Sequence, residues 1–484
     1  MTGHPQPPTG ALFLLVCSSL ALSACATSAD LRPARVEPDL TTLDAGKAIV
    51  EAAVSARPGP TNWWAAYGDP QLDWLMNEAL QDAPTISVAA ARIARAEALL
   101  DRARTDQQWQ VNGAGQMTGE YFPDRYVYPA PYAGEVGSEG QFMANARYHL
   151  DFWGKRRQAS EAAAIRVEVE EAQARDAALM LAAAMVEAYV RLDAAYRAHD
   201  IARAGLSRRQ GVVDLLAIRA RAGLATDIDA AQAREAIAST RGEIARLDGE
   251  IARRRHEIAA LAGRGPGYGE TLSRPVLTPL SGPAPVSAIP AQLLGYRPDV
   301  AAQRARVEAA AKDVGVARAA FYPDIDLTGF AGIASLGVAN LFRAGSGAAG
   351  VGAAVSLPIF DAGRLRSGLA ARDAEFDQAV GAYEGTIATA LQQVADGIVS
   401  LRAERERRRL ADQSRAHWAR VVELQKAREA QGLSNAIDRL SAETALLLSQ
   451  RDVAEAEARI AVAQVSLIRA LGGAWTPNTP SRGS

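Results

Sequence analysis

The sequence predicts an α+β membrane protein. Each chain would lend four transmembrane β-strands to a barrel shared between chains and continue as long helical hairpins on the periplasmic side. Three observations predict this: an export signal ending in cysteine, two proline-free blocks of over one hundred residues, and four segments of alternating polarity. A net charge of −2 over 484 residues gives no basis for a nucleic-acid partner. With 22% charged residues, and no stretch after residue 30 reaching the ~18 apolar residues of a spanning helix, a helical membrane protein is excluded.

The N-terminal element is ALFLLVCSSLALSA, residues 11–24, an apolar core of signal-peptide length. It ends in Leu22-Ser23-Ala24-Cys25, which looks like a bacterial lipobox, so residues 1–24 are expected to be removed and Cys25 lipidated. Ala26 after the cysteine implies sorting to the outer membrane. The preceding MTGHPQPPTG lacks the Lys or Arg of a usual n-region. Cys17 lies in the removed segment, so the mature chain has one cysteine and no internal disulfide.

The helical blocks come next. No proline occurs between Pro131 and Pro266, nor between Pro358 and Pro477. Prolines break helix interiors, and both blocks are rich in strong helix formers. The blocks are copies. Gly154-Lys155-Arg156-Arg157 corresponds to Gly363-Arg364-Leu365-Arg366, and RAGLATDIDAAQA (221–233) to AQGLSNAIDRLSA (430–442). The offset is constant, 363 − 154 = 209 and 432 − 223 = 209. An earlier pair, residues 84–104 and 298–318, matches at 298 − 84 = 214. The expected organisation follows. Residues 25–62 form a lipidated linker. Residues 63–263 form a first repeat, with a β-hairpin at 109–153 and a helical hairpin at 154–262. A linker occupies 264–290. A second repeat fills 291–472, with a β-hairpin at 324–360 and a helical hairpin at 361–472, and 473–484 is a tail.

The strand candidates alternate at period two. From Phe142 to Phe152 apolar or small residues alternate with Asn145, Arg147, His149 and Asp151, with Met143 as the exception. Residues 110–121 place Asn112 and Gln116 on their polar face; Asp326 and Thr328 do so in the second half. These eight residues are expected to face a water-filled lumen. Ten-residue segments with one polar and one apolar face fit a membrane barrel. Four strands cannot stand alone in lipid, because the open edges would leave backbone groups unpaired, so several chains must close one barrel of eight, twelve or sixteen strands.

Other signals carry less. Gly345-Ser346-Gly347-Ala348-Ala349-Gly350 matches a dinucleotide motif but precedes a strand-like segment rather than a helix, so it is read as an outer loop. The histidines at 4, 149, 199, 256 and 417 show no metal-ligand spacing, and no nucleophile–base arrangement is present, so neither enzyme, cofactor nor metal is expected. Residues 404–409 are read as a solvated helix face with a Glu404–Arg408 pair.

WWAAYGDPQLDWLMNEAL (63–80), the stretch 295–329 around Arg297-Pro298-Asp299, and LPIFDAGRLRSGL (357–369) resemble the TolC-like outer-membrane factors of tripartite efflux systems, of NodT lipoprotein type. The resemblance covers nearly all the mature chain. It implies a homotrimer with a twelve-stranded barrel and a periplasmic α-helical coiled-coil barrel. It also implies a periplasmic adaptor and an inner-membrane pump of the resistance-nodulation-division class as partners, and a passive exit duct for small toxic compounds. The hairpin tips that would meet the adaptor are Gly223, Leu224, Ala225, Thr226 and Gly432, Leu433, Ser434, Asn435. Asp438 falls where family members carry a gating aspartate. Ser434 stands where an arginine tether is often found, and Ser441 where some members have a second aspartate. Two other readings stay open: an export duct for proteins or oligosaccharides, and a coiled-coil lipoprotein without a pore.

Overall fold

A computed structural model describes residues 32–36, 62–125, 127, 130–278 and 297–473. The signal peptide, Cys25, most of the two linkers and the tail beyond residue 473 lie outside the described residues. The chain divides into two units, residues 1–38, 93–170 and 303–383, and residues 39–92, 171–302 and 384–484.

The elements repeat as the sequence spacing predicts. After a short 3-10 turn at Trp63–Tyr67 come α1 (Pro70–Asp82), α2 (Pro84–Thr105), β1 (Gln110–Tyr121) and β2 (Val136–His149). Then follow α3 (Lys155–Arg221), α4 (Asp227–Leu261) and the short α5 (Pro266–Glu270). The second half gives α6 (Pro298–Ala319), β3 (Asp324–Leu336), β4 (Gly347–Ser356), α7 (Arg364–Ala430) and α8 (Ala436–Ala470). The long helices α3 and α7 have 67 residues each, and the return helices α4 and α8 have 35 each. All four boundaries shift by 209, as in 364 − 155 and 436 − 227. A 67-residue helix is ~100 Å long at 1.5 Å per residue.

The first unit holds one antiparallel sheet in the order β1-β2-β3-β4. Asn112 pairs with Asn145, which pairs with Phe330; Arg147 pairs with Thr328, which pairs with Gly352. Paired residues share a face. One face therefore carries Asn112, Gln116, Gln141, Asn145, Arg147, His149, Asp326 and Thr328, interrupted by Met143 and Phe330. The other carries Val111, Met117, Tyr121, Phe142, Tyr148, Leu327, Val351 and Val355. Several of these apolar side chains stand exposed, Val351 at 89%. A soluble sheet would bury that face.

Two strand boundaries differ from the sequence reading. β2 begins at Val136 and ends at His149, so the spanning strand is not Phe142–Phe152. Leu150 makes one further ladder bond, its N–H donating to Ile325 O at 2.9 Å, and the chain then turns away. Asp151 is accordingly not a strand residue: its carboxylate accepts from the N–H of Arg157 at 2.8 Å, in the first turn of α3. Gly154, at φ +71°, makes the turn in a conformation that costs glycine little. Likewise Gly347–Gly350 lie within β4 rather than in an outer loop.

The second unit is built on an apolar core. Asp69 caps α1 by accepting from the N–H of Gln71 at 2.9 Å, and Pro70 suits the first helical position. Leu72, Leu75, Met76 and Ala79 recur on one stripe and are buried with Trp63 and Tyr67. They pack on Leu181, Met185, Val186, Tyr189 and Leu192 of α3 and Ile251 and Ile258 of α4. Tyr189 Oη donates to Asp69 Oδ2 at 2.7 Å and accepts from Gln71 Nε2 at 2.8 Å, so its polar tip is satisfied, whereas the Tyr67 hydroxyl is buried without a hydrogen bond. Burial and the neighbouring Asp69 push the Tyr189 hydroxyl well above the ordinary phenol pKa. A second cluster joins Val394, Ile398 and Leu401 of α7 to Ala463, Leu467 and Ala470 of α8.

Lys155 Nζ lies 3.6 Å from Asp324 Oδ2, and Arg156 donates to Asp106 O. One expected pair is replaced by others. Arg408 pairs with Asp412 at 3.4 Å and Glu457 at 3.3 Å, not with Glu404.

Candidate functional site: the polar sheet face and the hairpin tips

The sheet gathers most of the expected polar strand residues on one face. Seven of the eight strand residues expected to face water fall on one face by register: Asn112, Gln116, Asn145, Arg147, His149, Asp326 and Thr328. Gln141 Nε2 donates across to Gln116 Oε1 at 3.3 Å. At one end of the sheet an aromatic pair marks the edge of the apolar band. Trp153 stacks on Tyr322 with centroids 4.7 Å apart, and its Nε1 donates to Pro323 O at 2.9 Å. Aromatic girdles at the interface are a general feature of membrane barrels. β1 and β4 each retain one unpaired edge. In hydrocarbon such edges must be paired, and strands from neighbouring chains satisfy them.

The two tips share one construction. Gly223 and Gly432 adopt φ +72° and +71°. Leu224 N–H donates back to Arg219 O, and Leu433 N–H to Arg428 O, both at 2.8 Å, the 6→1 bond of a Schellman cap. The return helices open with reciprocal capping boxes, Thr226 with Asp229 and Asn435 with Asp438. Bonds from the Thr226 N–H and hydroxyl hold the Asp229 carboxyl below its ordinary pKa. Leu224 and Leu433 are 67% and 65% exposed, so each tip presents one leucine to solvent.

The gate candidates separate. Ser434 Oγ lies 3.0 Å from both Asp438 Oδ2 and Gln425 Oε1, while Asp438 Oδ2 also accepts weakly from Asn435 N–H at 3.4 Å. Ser441 is exposed about one turn further along α8, outside that cluster. The link between Asp438 and Ser434 was not legible in the sequence.

Sequence reasoning also missed one cluster. His149 meets Asp324 and Asp326, residues 175 and 177 positions away. No local spacing signals it, because strand pairing alone joins the three.

A four-stranded sheet with a polar face, an exposed apolar face and two free edges, carried with two helical hairpins, defines one protomer of an outer-membrane channel whose barrel is closed by several chains. The chain belongs to the Outer membrane efflux protein family, which matches residues 75–264 and 289–473. It is 38% identical over 372 residues to the fusaric acid resistance protein FusA of Burkholderia cepacia, covering 75% of this chain and 70% of that one. It is 31% identical over 484 residues to the outer membrane protein OprJ of Pseudomonas aeruginosa, covering 97% of each. Among solved structures, the outer membrane protein VceC of Vibrio cholerae superposes with a TM-score of 0.78 at 33% identity, over 86% of this chain and 99% of that one. The fold is thus that of the trimeric efflux channels. Each chain adds four strands to a twelve-stranded barrel and its helices to a helical barrel extending into the periplasm, as the exit duct of a tripartite pump.

Proposed function

We propose that this chain forms the passive outer-membrane duct of a pump of the resistance-nodulation-division class that expels small toxic organic compounds. In this reading both tips dock a periplasmic adaptor and Asp438 helps hold the channel closed. The register carries the reading: it gathers the polar strand residues on one face and leaves the opposite face apolar and exposed. A duct needs no more chemistry than that, since the energy comes from the pump. The resistance and toluene-efflux names of the relatives support the substrate class. The test is reconstitution: the purified trimer should give discrete conductance steps in planar bilayers, and a protein that inserts without conducting ends the proposal.

The repeat supplies its own control for the gate. Asp229 and Asp438 occupy matching positions, 438 − 229 = 209, with the same capping-box geometry. Either substitution removes the acidic half of its capping box and leaves the N-cap residue, Thr226 or Asn435, in place. Asp438→Ala is expected to raise single-channel conductance several-fold, while Asp229→Ala leaves it near wild type. Equal effects from the two would reduce Asp438 to a helix cap.

Lipidation at Cys25 is part of the same proposal. The backbone N–H groups of Ala34 and Arg35 donate to Asp377 Oδ2 and Oδ1 at 3.1 and 2.9 Å. Asp377 lies 13 residues into α7, ~20 Å from the sheet end of that helix. The nine residues from Cys25 to Ala34 reach ~30 Å when extended, enough to return an acyl chain to the bilayer. Labelled palmitate should enter the wild type and not Cys25→Ser.

A further inference from the structure

We propose that His149, Asp324 and Asp326 form a divalent-metal site on the channel wall, with Zn²⁺ the ion that its ligand set suits. The site is built within one chain, from side chains of β2 and β3. His149 and Asp326 are direct cross-strand partners, and Asp324 lies two residues along on the same face of β3. Side chains held on paired strands are positioned more firmly than those on loops. The His149 side chain is only 7% exposed.

The atomic arrangement asks for a cation. His149 Nδ1 can carry one proton, yet two carboxylates aim at it. Asp326 Oδ1 lies within hydrogen-bond distance at 3.1 Å. Asp324 Oδ1 lies closer, at 2.7 Å, but it is a buried oxygen that makes no hydrogen bond. With the Nδ1 proton on the Asp326 side, an imidazole nitrogen and an anionic oxygen at that separation concentrate negative potential at one point. Lys155 offsets only the far oxygen of Asp324, at 3.6 Å from Oδ2.

A metal answers this geometry. Tetrahedral Zn²⁺ with bonds of 2.0–2.1 Å holds its ligand atoms about 3.3 Å apart. The three candidate atoms already lie within 4.8 Å of one another, two of the pairs at 2.7 and 3.1 Å, so small side-chain rotations suffice. One imidazole nitrogen and two carboxylate oxygens suit Zn²⁺ better than Ca²⁺ or Mg²⁺, which take oxygen ligands. A fourth position would open on a cavity of about 250 Å³ lined by His149, Lys155, Tyr322, Asp324, Ser356 and Arg364, wide enough for water.

The experiment is Zn²⁺ titration of the chelator-treated, detergent-solubilised full-length protein, read by calorimetry and by metal analysis after dialysis. One Zn²⁺ per chain is expected. His149→Gln and Asp324→Asn should each weaken binding at least ~10-fold. Both variants are checked for the heat-resistant trimer on gels, and Asp326→Asn replaces either one that fails to assemble. No saturable binding by the wild type, or undiminished binding by assembled variants, overturns the site. Conductance of the metal-free trimer is measured separately, so losing the metal site does not bear on the channel reading.

Discussion

Val351→Arg is expected to abolish assembly of the barrel, whereas Thr328→Arg is expected to be tolerated. The two positions lie on neighbouring strands, with Thr328 paired to Gly352 and Val351 to Gly329, but on opposite faces of the sheet. Val351 is 89% exposed and lies on the apolar face, which the proposed reading turns to lipid. An arginine at mid-membrane on a barrel's lipid face costs ~2–4 kcal/mol. A trimer carries three copies, so the penalty is on the order of 10 kcal/mol per barrel, comparable to the whole stability of many domains. On the lumen face the same side chain meets water and costs little. The readout is heat-modifiable trimer in outer-membrane fractions. Equal trimer yields would mean that the faces are assigned the wrong way round.

Arg297→Met should be the most damaging single change in the second unit. The guanidinium is 8% exposed and grips Asp299 with two bonds, Nε to Oδ1 at 3.0 Å and Nη2 to Oδ2 at 2.7 Å. It also donates to Ala470 O at 2.8 Å, at the end of α8, and to Gln393 Oε1 at 3.0 Å on α7. One side chain thus joins the start of α6 to two other helices. Removing one partner of a buried ion pair costs ~3–5 kcal/mol, because the other charge is stranded. Asp176 adds a pH signature. Its carboxyl is held above the ordinary aspartate pKa, chiefly by burial and then by Asp299, and Arg297 opposes the shift. An acid whose folded pKa is raised binds its proton more tightly when folded, so its contribution to stability falls as pH rises through that range. Without Arg297 the shift grows, so the variant's deficit should be larger at pH 7 than near pH 4. Denaturant unfolding at the two pH values checks both sign and size.

Much of this architecture was legible in the sequence. Proline-free blocks and a fixed offset located both helical hairpins, and alternation found all four strands with their polar faces. The missed strand ends have a local cause. Residues Gly137 to Gly140 and Gly347 to Gly350 are built from Gly, Ser, Ala and Glu, which read as turn chemistry, yet they pair along the ladder because neighbouring strands supply partners. Arg297-Pro298-Asp299 stood out as a signature, but nothing in the string says that Arg297 reaches Ala470 and Gln393. His149, Asp324 and Asp326 were invisible for the same reason: their meeting depends on register, which a sequence specifies only through the whole sheet.

The constant offset also records where this chain has been free to gain or lose residues. Between α2 and α3 lie residues 106–154, which is 49; between α6 and α7 lie 320–363, which is 44. The difference of five accounts for the fall from 214 to 209. The helices themselves keep equal lengths: 22 and 22, 67 and 67, 35 and 35. One residue inserted into a helix rotates everything beyond it by about 100° and turns the packed stripe to solvent. The same insertion in an outer loop adds only a fraction of a kcal/mol of closure entropy. Among the described residues from α2 to α4 and from α6 to α8, the two copies therefore differ in length across the sheet and its loops. Engineered insertions, such as an epitope tag, should be accepted between β1 and β2 or between β3 and β4, and rejected anywhere along the 67-residue arms.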